Sequence, residues 1–389
     1  MLELLKNREE KKVEYIELIY DLIFVYILGR SNTILHTVEN GFIAPSAMLT
    51  YLLSTLTILQ IWYMTVLFIN KYGENGLQEN IAIFINMYLL YYMADGTRAA
   101  WQDFYMRYNV AWLLILLNLT LQYFIKYKKI GRLTPWVTAH LKRNIGVLLI
   151  QMVVIAVSLP VYRLTGVPLS PLAMAFGLLS GLFSRKTESL VEGDFSHLTE
   201  RIMLYVVFTF GEMIIAIASY FEGGFTANSI YFSLCAFLIV AGLFLTYGFV
   251  YDNVIDRELR TSGNRYMLLH VFLIAALNNI TAALEFMRNP EVRDIPKNIF
   301  MVASLIAYFL FLFLTERYAL VRCRGNLKFF AVIVALSLVF AGLMTIFYKN
   351  GYASIAVSVL YIYSIFLYLY LYVRKVRGIV KKSKEEQKS

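Results

Sequence analysis

Four charged residues lie in the first apolar stretch of the chain, residues 13–36. Glu14, Glu17 and Asp21 are spaced i, i+3, i+7, so on a helix they share one face, and Arg30 follows nine residues after Asp21. A carboxylate that faces lipid is unfavourable by a few kcal/mol or more. We therefore expect this face to point toward protein or a water-filled cavity, where it could bind a cation or relay a proton.

A second acid, Glu212, lies in the apolar stretch 198–220. It follows Glu200 by twelve residues, which is about 18 Å along a helix. This distance predicts a position near or just past the middle of the membrane, at a depth comparable to that of Arg30. A Glu212–Arg30 ion pair would fix helix packing, and the alternative is an ion or proton site, because intramembrane acids are commonly functional.

A third group of polar residues is expected near the cytoplasmic side. The helix dipole explains acids at helix starts, such as Glu200, but not Asp21, which lies two turns inside. His270 is either a proton relay or a hydrogen-bonded core histidine, and Asp252 either belongs to the group or marks the interface. The candidate substrate- or ion-binding residues are Glu17, Asp21, Arg30, Glu200, Arg201, Glu212, Asp252 and His270.

The elements that must position these residues are membrane-spanning helices. Of the 389 residues, 59% are hydrophobic and 16% are charged, whereas soluble domains are about 25% charged. Apolar runs of 18 or more residues recur along the chain. They predict an all-α, polytopic helix bundle of about twelve spans that forms a single integral membrane domain, residues 1–389, with no cleaved signal peptide.

Basic residues indicate the orientation of this bundle. The segments predicted to face the cytoplasm hold 28 of the 36 Lys and Arg residues, the outer segments hold 7, and Arg30 lies within a span. The positive-inside rule then places both termini in the cytoplasm. A long basic loop is expected at 126–143, and a basic tail at 374–389 either contacts anionic lipid or anchors the last helix. Nucleic-acid binding is not expected.

Helix 6, about residues 168–184, is short and rich in small residues. Gly177 and Gly181 favour close helix packing, and the alternative is a broken helix at a transport site, as Pro160, Pro168 and Pro171 would also suit. A weak similarity at an offset of about 184 residues suggests two parallel repeat halves, 1–184 and 185–373. The segment 37–47 between the first two helices is expected to be a loop.

Enzyme and metal signatures are not recognisable in the sequence. Cys235 and Cys323 form no motif, and the chain has no His-x3-His, Gly-x-Ser-x-Gly or phosphate-binding loop. An enzyme is therefore not expected, and neither are a cofactor or a metal. The expected partners are membrane lipids and a small solute or ion, and a homo-oligomer is left open.

Three stretches resemble the bacterial low-temperature-requirement A (LtrA) family. ELIYDLIFV at 17–25 is similar to the family's ELFFDLVFV, and HLTER at 197–201 with FGEMIIAI at 210–217 is similar to its HxxER and LGESIIAI. Tyr266 and His270 resemble a Tyr/His pair in its later half. Met213 departs from the family's small polar residue, and TYGFVYD at 246–252 is a loose version of its aromatic-aspartate stretch.

The resemblance implies a multi-pass protein of the bacterial cytoplasmic membrane that is linked to growth in the cold. It supplies neither a biochemical activity nor a substrate. Our first functional hypothesis, from the intramembrane acids, is a proton- or cation-coupled secondary transporter or permease. The alternative is a non-transporting membrane protein, either a lipid-handling enzyme or a scaffold in cold stress.

Overall fold

A computed structural model describes residues 12–94, 101–130, 134–183, 193–222 and 224–386, with side chains described except at 101–103, 182–183 and 377–386. The described part contains twelve α-helices, one for each predicted helix. They are α1 Tyr15–Ser31, α2 Pro45–Tyr72, α3 Leu77–Ala94, α4 Trp101–Ile130, α5 Pro135–Thr165, α6 Ser170–Phe183, α7 Phe195–Ala216, α8 Ala227–Asn253, α9 Asn264–Arg288, α10 Asp294–Leu314, α11 Leu327–Ile346 and α12 Gly351–Glu386. The all-α fold class is confirmed.

Ten of these helices, some extended by a 3-10 turn, are long and apolar enough to cross a membrane, against about twelve expected. The other two are α3 and α6. Helix α3 begins with Gln78, Glu79 and Asn80, which lower its mean hydropathy. Helix α6 has 14 residues and is about 21 Å long, which is shorter than the roughly 30 Å hydrocarbon core. The chain is a multi-pass membrane protein.

The chain forms two compact units. The first comprises Met1–Thr37, Pro45–Tyr205 and Arg257–Val271. In it α1 packs on α2 and α3, α4 packs on α3 and α5, and α6 packs on α5 and α2. These boundaries differ from the proposed repeat halves, and the repeat stays a prediction.

The second unit comprises Val38–Ala44, Val206–Asp256 and Phe272–Ser389. Helix α12 packs on α8 and α11, and α11 packs on α10. An isolated antiparallel bridge between Ile255 and Ala319 ties the end of α8 to the chain that follows α10.

The prediction of a long basic loop at 126–143 is wrong for most of that range. Helix α4 continues to Ile130 and α5 begins at Pro135. The Thr134 hydroxyl caps α5 by accepting a hydrogen bond from Val137 N at 3.4 Å. Lysines suit the last turn of α4 because they oppose the negative end of the helix dipole. The basic tail is likewise helical as far as Glu386.

The segment after α1 is more ordered than the loop we expected. In the second unit, β1 (Val38–Glu39) and β2 (Phe42–Ile43) pair antiparallel around Asn40 and Gly41. Asn40 has φ 53° and Gly41 has φ 82°, as a two-residue type I′ hairpin requires. The carbonyl oxygen of Gly41 accepts a hydrogen bond from the backbone N–H of Arg293 at 2.7 Å.

Close packing of helix α6 on α2 explains its glycines. A methyl group at Gly177 would overlap Gln60 Nε2 and lie 2.5 Å from Gln151 Oε1, and one at Gly181 would overlap the Tyr63 hydroxyl. Gln60 Nε2 donates to Gln151 Oε1 at 2.6 Å in this buried layer. The predicted packing role of the two glycines is confirmed. Pro160 lies inside the continuous helix α5.

Candidate functional site

Two pairs of ionisable residues meet in the first unit. Glu17 and Asp21 lie one turn apart on α1, and His197 and Arg201 lie one turn apart on α7. None of the four side chains is more than 1% exposed. The prediction that the acidic face of α1 points inward is therefore confirmed for Glu17 and Asp21, whereas Glu14, the N-cap residue, is half-buried. We call these four residues the buried charge cluster.

Arg201 holds the two acids together. Its Nε donates to Asp21 Oδ2 at 3.1 Å and its Nη2 donates to Asp21 Oδ1 at 2.9 Å. Its Nη1 donates to Glu17 Oε2 at 3.1 Å. This two-pronged contact is the strong geometry of arginine–carboxylate pairs, and a lysine could not reproduce it. The positive charge of Arg201, which we had counted among the cytoplasmic charges, lies inside the protein.

His197 completes the cluster. Its Nε2 lies 3.2 Å from Glu17 Oε2, and its Nδ1 lies 3.0 Å from Asn70 Oδ1. Nδ1 can therefore donate to Asn70, whereas Nε2 lies within ion-pair distance of Glu17 without forming a hydrogen bond. Among these four residues, one guanidinium and one imidazole face two carboxylates.

Residues of α2 support the cluster from another side. Trp62 Nε1 donates to Asp21 Oδ1 at 2.9 Å, and the Trp62 ring packs on Tyr205 with ring centroids 4.2 Å apart. The Tyr20 hydroxyl donates to Thr65 Oγ1 at 3.4 Å. These contacts satisfy the carboxylate and enclose it with aromatic rings, so the charges are held away from lipid.

A small polar cavity lies in the first unit, which contains all of its lining residues. It has a volume of about 30 Å³ and is lined by Lys71, His140, Arg143, Asn144 and Asn264 among others. Lys71 Nζ lies 3.3 Å from His140 Nε2, and Lys71 follows Asn70, the residue that contacts His197. A cavity of this size with polar walls can hold a water molecule.

Five of the residues selected from the sequence lie outside the cluster, and three of them are Glu200, Asp252 and His270. Glu200 is half-buried and Asp252 is exposed, and neither makes an ion pair within the described residues. His270 is buried, and its Nδ1–H donates to the Tyr266 carbonyl oxygen at 2.8 Å, which agrees with a hydrogen-bonded core histidine. A relay role for His270 stays a prediction.

The predicted Arg30–Glu212 pair joins residues of different units. Arg30 lies in the last turn of α1, which ends at Ser31, and the candidate membrane span continues as a 3-10 helix to His36. Glu212 is half-buried on α7, in the part of that helix that belongs to the second unit. The pairing stays a prediction, and so does an ion-binding role for either residue.

Three members of the site were missed from the sequence: His197, Trp62 and Asn70. His197 could have been found, because it precedes Arg201 by four residues and therefore shares its helix face. Trp62 and Asn70 carry no such signal, since single polar or aromatic residues are common in membrane helices. In the described part of the chain, His, Cys, Asp and Glu side chains form no metal-binding group.

Comparison with known proteins now places the chain. It matches none of the curated proteins with which it was compared. The model of the family described as bacterial low temperature requirement A protein (LtrA) matches residues 12–364. This range contains all four residues of the buried charge cluster and eleven complete helices. The chain therefore belongs to the bacterial LtrA family.

Proposed function

We propose that this LtrA-family protein is a proton-coupled secondary transporter of the bacterial cytoplasmic membrane. The observation that carries the proposal is the charge balance of the buried charge cluster. Among the four residues, two buried carboxylates face one guanidinium and an imidazole that can carry a proton. Ionisable groups in membrane helices are unfavourable unless paired, and they commonly mark proton or ion pathways.

The proposed cycle begins with the proton on His197. Its departure would remove a positive charge 3.2 Å from Glu17 Oε2 in the buried interior, which is costly in free energy. This cost would be relieved when the cluster opens or a cation arrives, and so a proton movement is coupled to a conformational step. The polar cavity lined by Lys71 has room for a water molecule, and Lys71 follows Asn70 in the chain on the side predicted to be cytoplasmic.

Arg201 and Asp21 have a positioning role in this proposal. The two-pronged contact fixes Asp21, and the third Arg201 bond holds Glu17 against His197. Glu212 and Arg30 are proposed as a second ion-handling position. The family description refers to low temperature requirement, and we extend a role in cold growth to this chain as part of the proposal.

A second candidate function is a non-transporting scaffold. The observation that favours it is the tightness of the cluster, in which Arg201 makes three hydrogen bonds of 2.9–3.1 Å. A buried network of this kind can specify helix packing without moving. Proton exchange at His197 distinguishes a transporter from a scaffold, because a scaffold does not need to exchange a proton.

The test is a pH jump on proteoliposomes adsorbed to a solid-supported membrane, which records charge displacement without knowledge of the transported solute. We expect a transient current from the wild type and its loss in His197→Gln. Glu200→Gln, a neighbouring half-buried acid outside the cluster, is the matched control and should keep the current. If folded His197→Gln gives the same current as the wild type, the transporter proposal fails and the scaffold is favoured.

A further inference from the structure

An elongated apolar groove lies between α10 and α11 in the second unit. Its volume is about 660 Å³, which is within the range of sites that hold organic molecules of several hundred daltons. Phe309 and Ile333 form a buried floor, whereas Leu310 and Leu338 on the rim are 53% and 69% exposed. The groove therefore opens on the side of these helices that faces the hydrocarbon of the membrane.

One end of the groove is charged. Glu316, Arg317 and Arg324 line it just beyond the end of α10 at Leu314. Arg324 Nη2 lies 3.5 Å from the Arg317 carbonyl oxygen, so the two arginines belong to one short segment, and both are exposed. Two guanidinium groups against one carboxylate leave an excess positive charge. This end coincides with the end of a membrane span, the level at which lipid headgroups lie.

We infer that the groove binds one anionic phospholipid, with an acyl chain along Phe309 and Ile333 and the phosphate at Arg317 and Arg324. The two parts of the groove match the two parts of such a molecule, since the apolar channel ends where the positive charge begins. Basic pockets between membrane helices on the cytoplasmic side recognise anionic headgroups, and arginine suits phosphate because its fork donates two hydrogen bonds.

The charge argues against other occupants. A zwitterionic lipid would gain little from an excess of arginine, since its own cation would face the same guanidinium groups. A water-soluble anion would use the charged end alone and would leave the apolar channel unexplained. The inference concerns a single bound lipid and is independent of the proposed transport.

The experiment measures thermal unfolding of the detergent-solubilised protein with added phosphatidylglycerol, phosphatidylcholine or glycerol phosphate. We expect concentration-dependent stabilisation by phosphatidylglycerol, a much weaker effect of phosphatidylcholine, and none from glycerol phosphate. Arg317→Ala combined with Arg324→Ala should weaken the apparent affinity for phosphatidylglycerol about thirtyfold, from about fivefold for each arginine. Ala341→Trp, which fills the groove, should weaken it as well.

The matched control is Arg322→Ala combined with Lys328→Ala, which removes two exposed cations that do not line the groove, one from the segment before α11 and one from its first turn. Its affinity should stay within twofold of the wild type, about the scatter expected for surface changes. Equal stabilisation by the two lipids would overturn the inference, and so would equal effects of the two double variants. Stabilisation by glycerol phosphate equal to that by phosphatidylglycerol would reduce the groove to a plain phosphate site.

Discussion

The guanidinium of Arg201 donates hydrogen bonds to both carboxylate oxygens of Asp21, at 3.1 Å from Nε and 2.9 Å from Nη2. The two residues are 180 positions apart in the chain. The two side chains have 0% exposure. Removing one partner of such a pair leaves the other as an uncompensated charge in a medium that solvates it poorly. Loss of either partner of this ion pair between α1 and α7 should therefore lower the stability of the protein more than loss of an exposed ion pair.

Arg201→Ala should destabilise the protein by about 3–5 kcal/mol, because it leaves two buried carboxylates without their cation. Arg201→Lys should cause a smaller loss, since it keeps the charge but not the fork. The measurement is unfolding in detergent followed by tryptophan fluorescence, with Glu200→Ala as the control on the adjacent position. A loss from Arg201→Ala no larger than that from Glu200→Ala would contradict the structural role of the pair.

Gly177→Ala should destabilise the first unit by about 1–3 kcal/mol, the usual range for overpacking a closed interface. The added methyl group would overlap the Gln60 amide and disturb its bond to Gln151. Gly146→Ala on α5 is the matched control, because its methyl group would meet no atom within 4 Å, and alanine is the better helix former. Thermal unfolding of the two variants side by side decides the matter, and a stable Gly177→Ala protein would speak against close packing.

Acid should weaken a surface ion pair that joins Glu74, in the connection between α2 and α3, to α4. The hydrogen bond from Lys129 Nζ to Glu74 at 2.7 Å, aided by Lys126, lowers the pKa of Glu74 below its ordinary value of 4.5. The unfolded chain then takes up the proton at a higher pH than the folded chain. The stabilisation is therefore present above about pH 5 and is lost as the pH falls through the folded pKa.

The measurable quantity is the difference in unfolding free energy between the wild type and Glu74→Gln. It should be positive but below about 1 kcal/mol at pH 6, because Glu74 is half exposed and solvent screens the pair, and it should shrink as the pH falls through the lowered pKa of Glu74. Asp252→Asn, at an exposed acid that makes no ion pair in the described residues, serves as the control. A difference that grows with acidity would have the wrong sign.

The helices could be predicted because the cost of exposing polar backbone to lipid forces long apolar segments into helices. The cost of exposing a charge to lipid likewise predicts that Glu17 and Asp21 point inward. The ends of the helices are harder to predict. The prediction of a loop at Lys126 and Lys129 follows from the run of positive charge there, although cations are suited to the final turn of a helix. The hairpin at Asn40 and Gly41 carried a recognisable Asn-Gly signal that was overlooked in a segment classed as a loop.

The composition of the buried charge cluster could be predicted only in part. Its acids follow from spacing along one helix, but the partner cation depends on the rotation of α7, which one sequence does not determine. The Arg30–Glu212 pair rests on depth alone and stays a prediction, because equal depth does not identify neighbours. Asn70 and Trp62 join the cluster through contacts over 127 and 41 positions, and no local pattern reports such distances.

The separation of Asp21 and Arg201 in the chain has a consequence for biogenesis. At about 5–20 residues per second, the ribosome makes the guanidinium roughly 10–35 s after the carboxylate it neutralises. During that interval the two acids of the nascent first helix lack the Arg201 guanidinium. The ion pair between α1 and α7 can therefore form only after the start of α7 has been made.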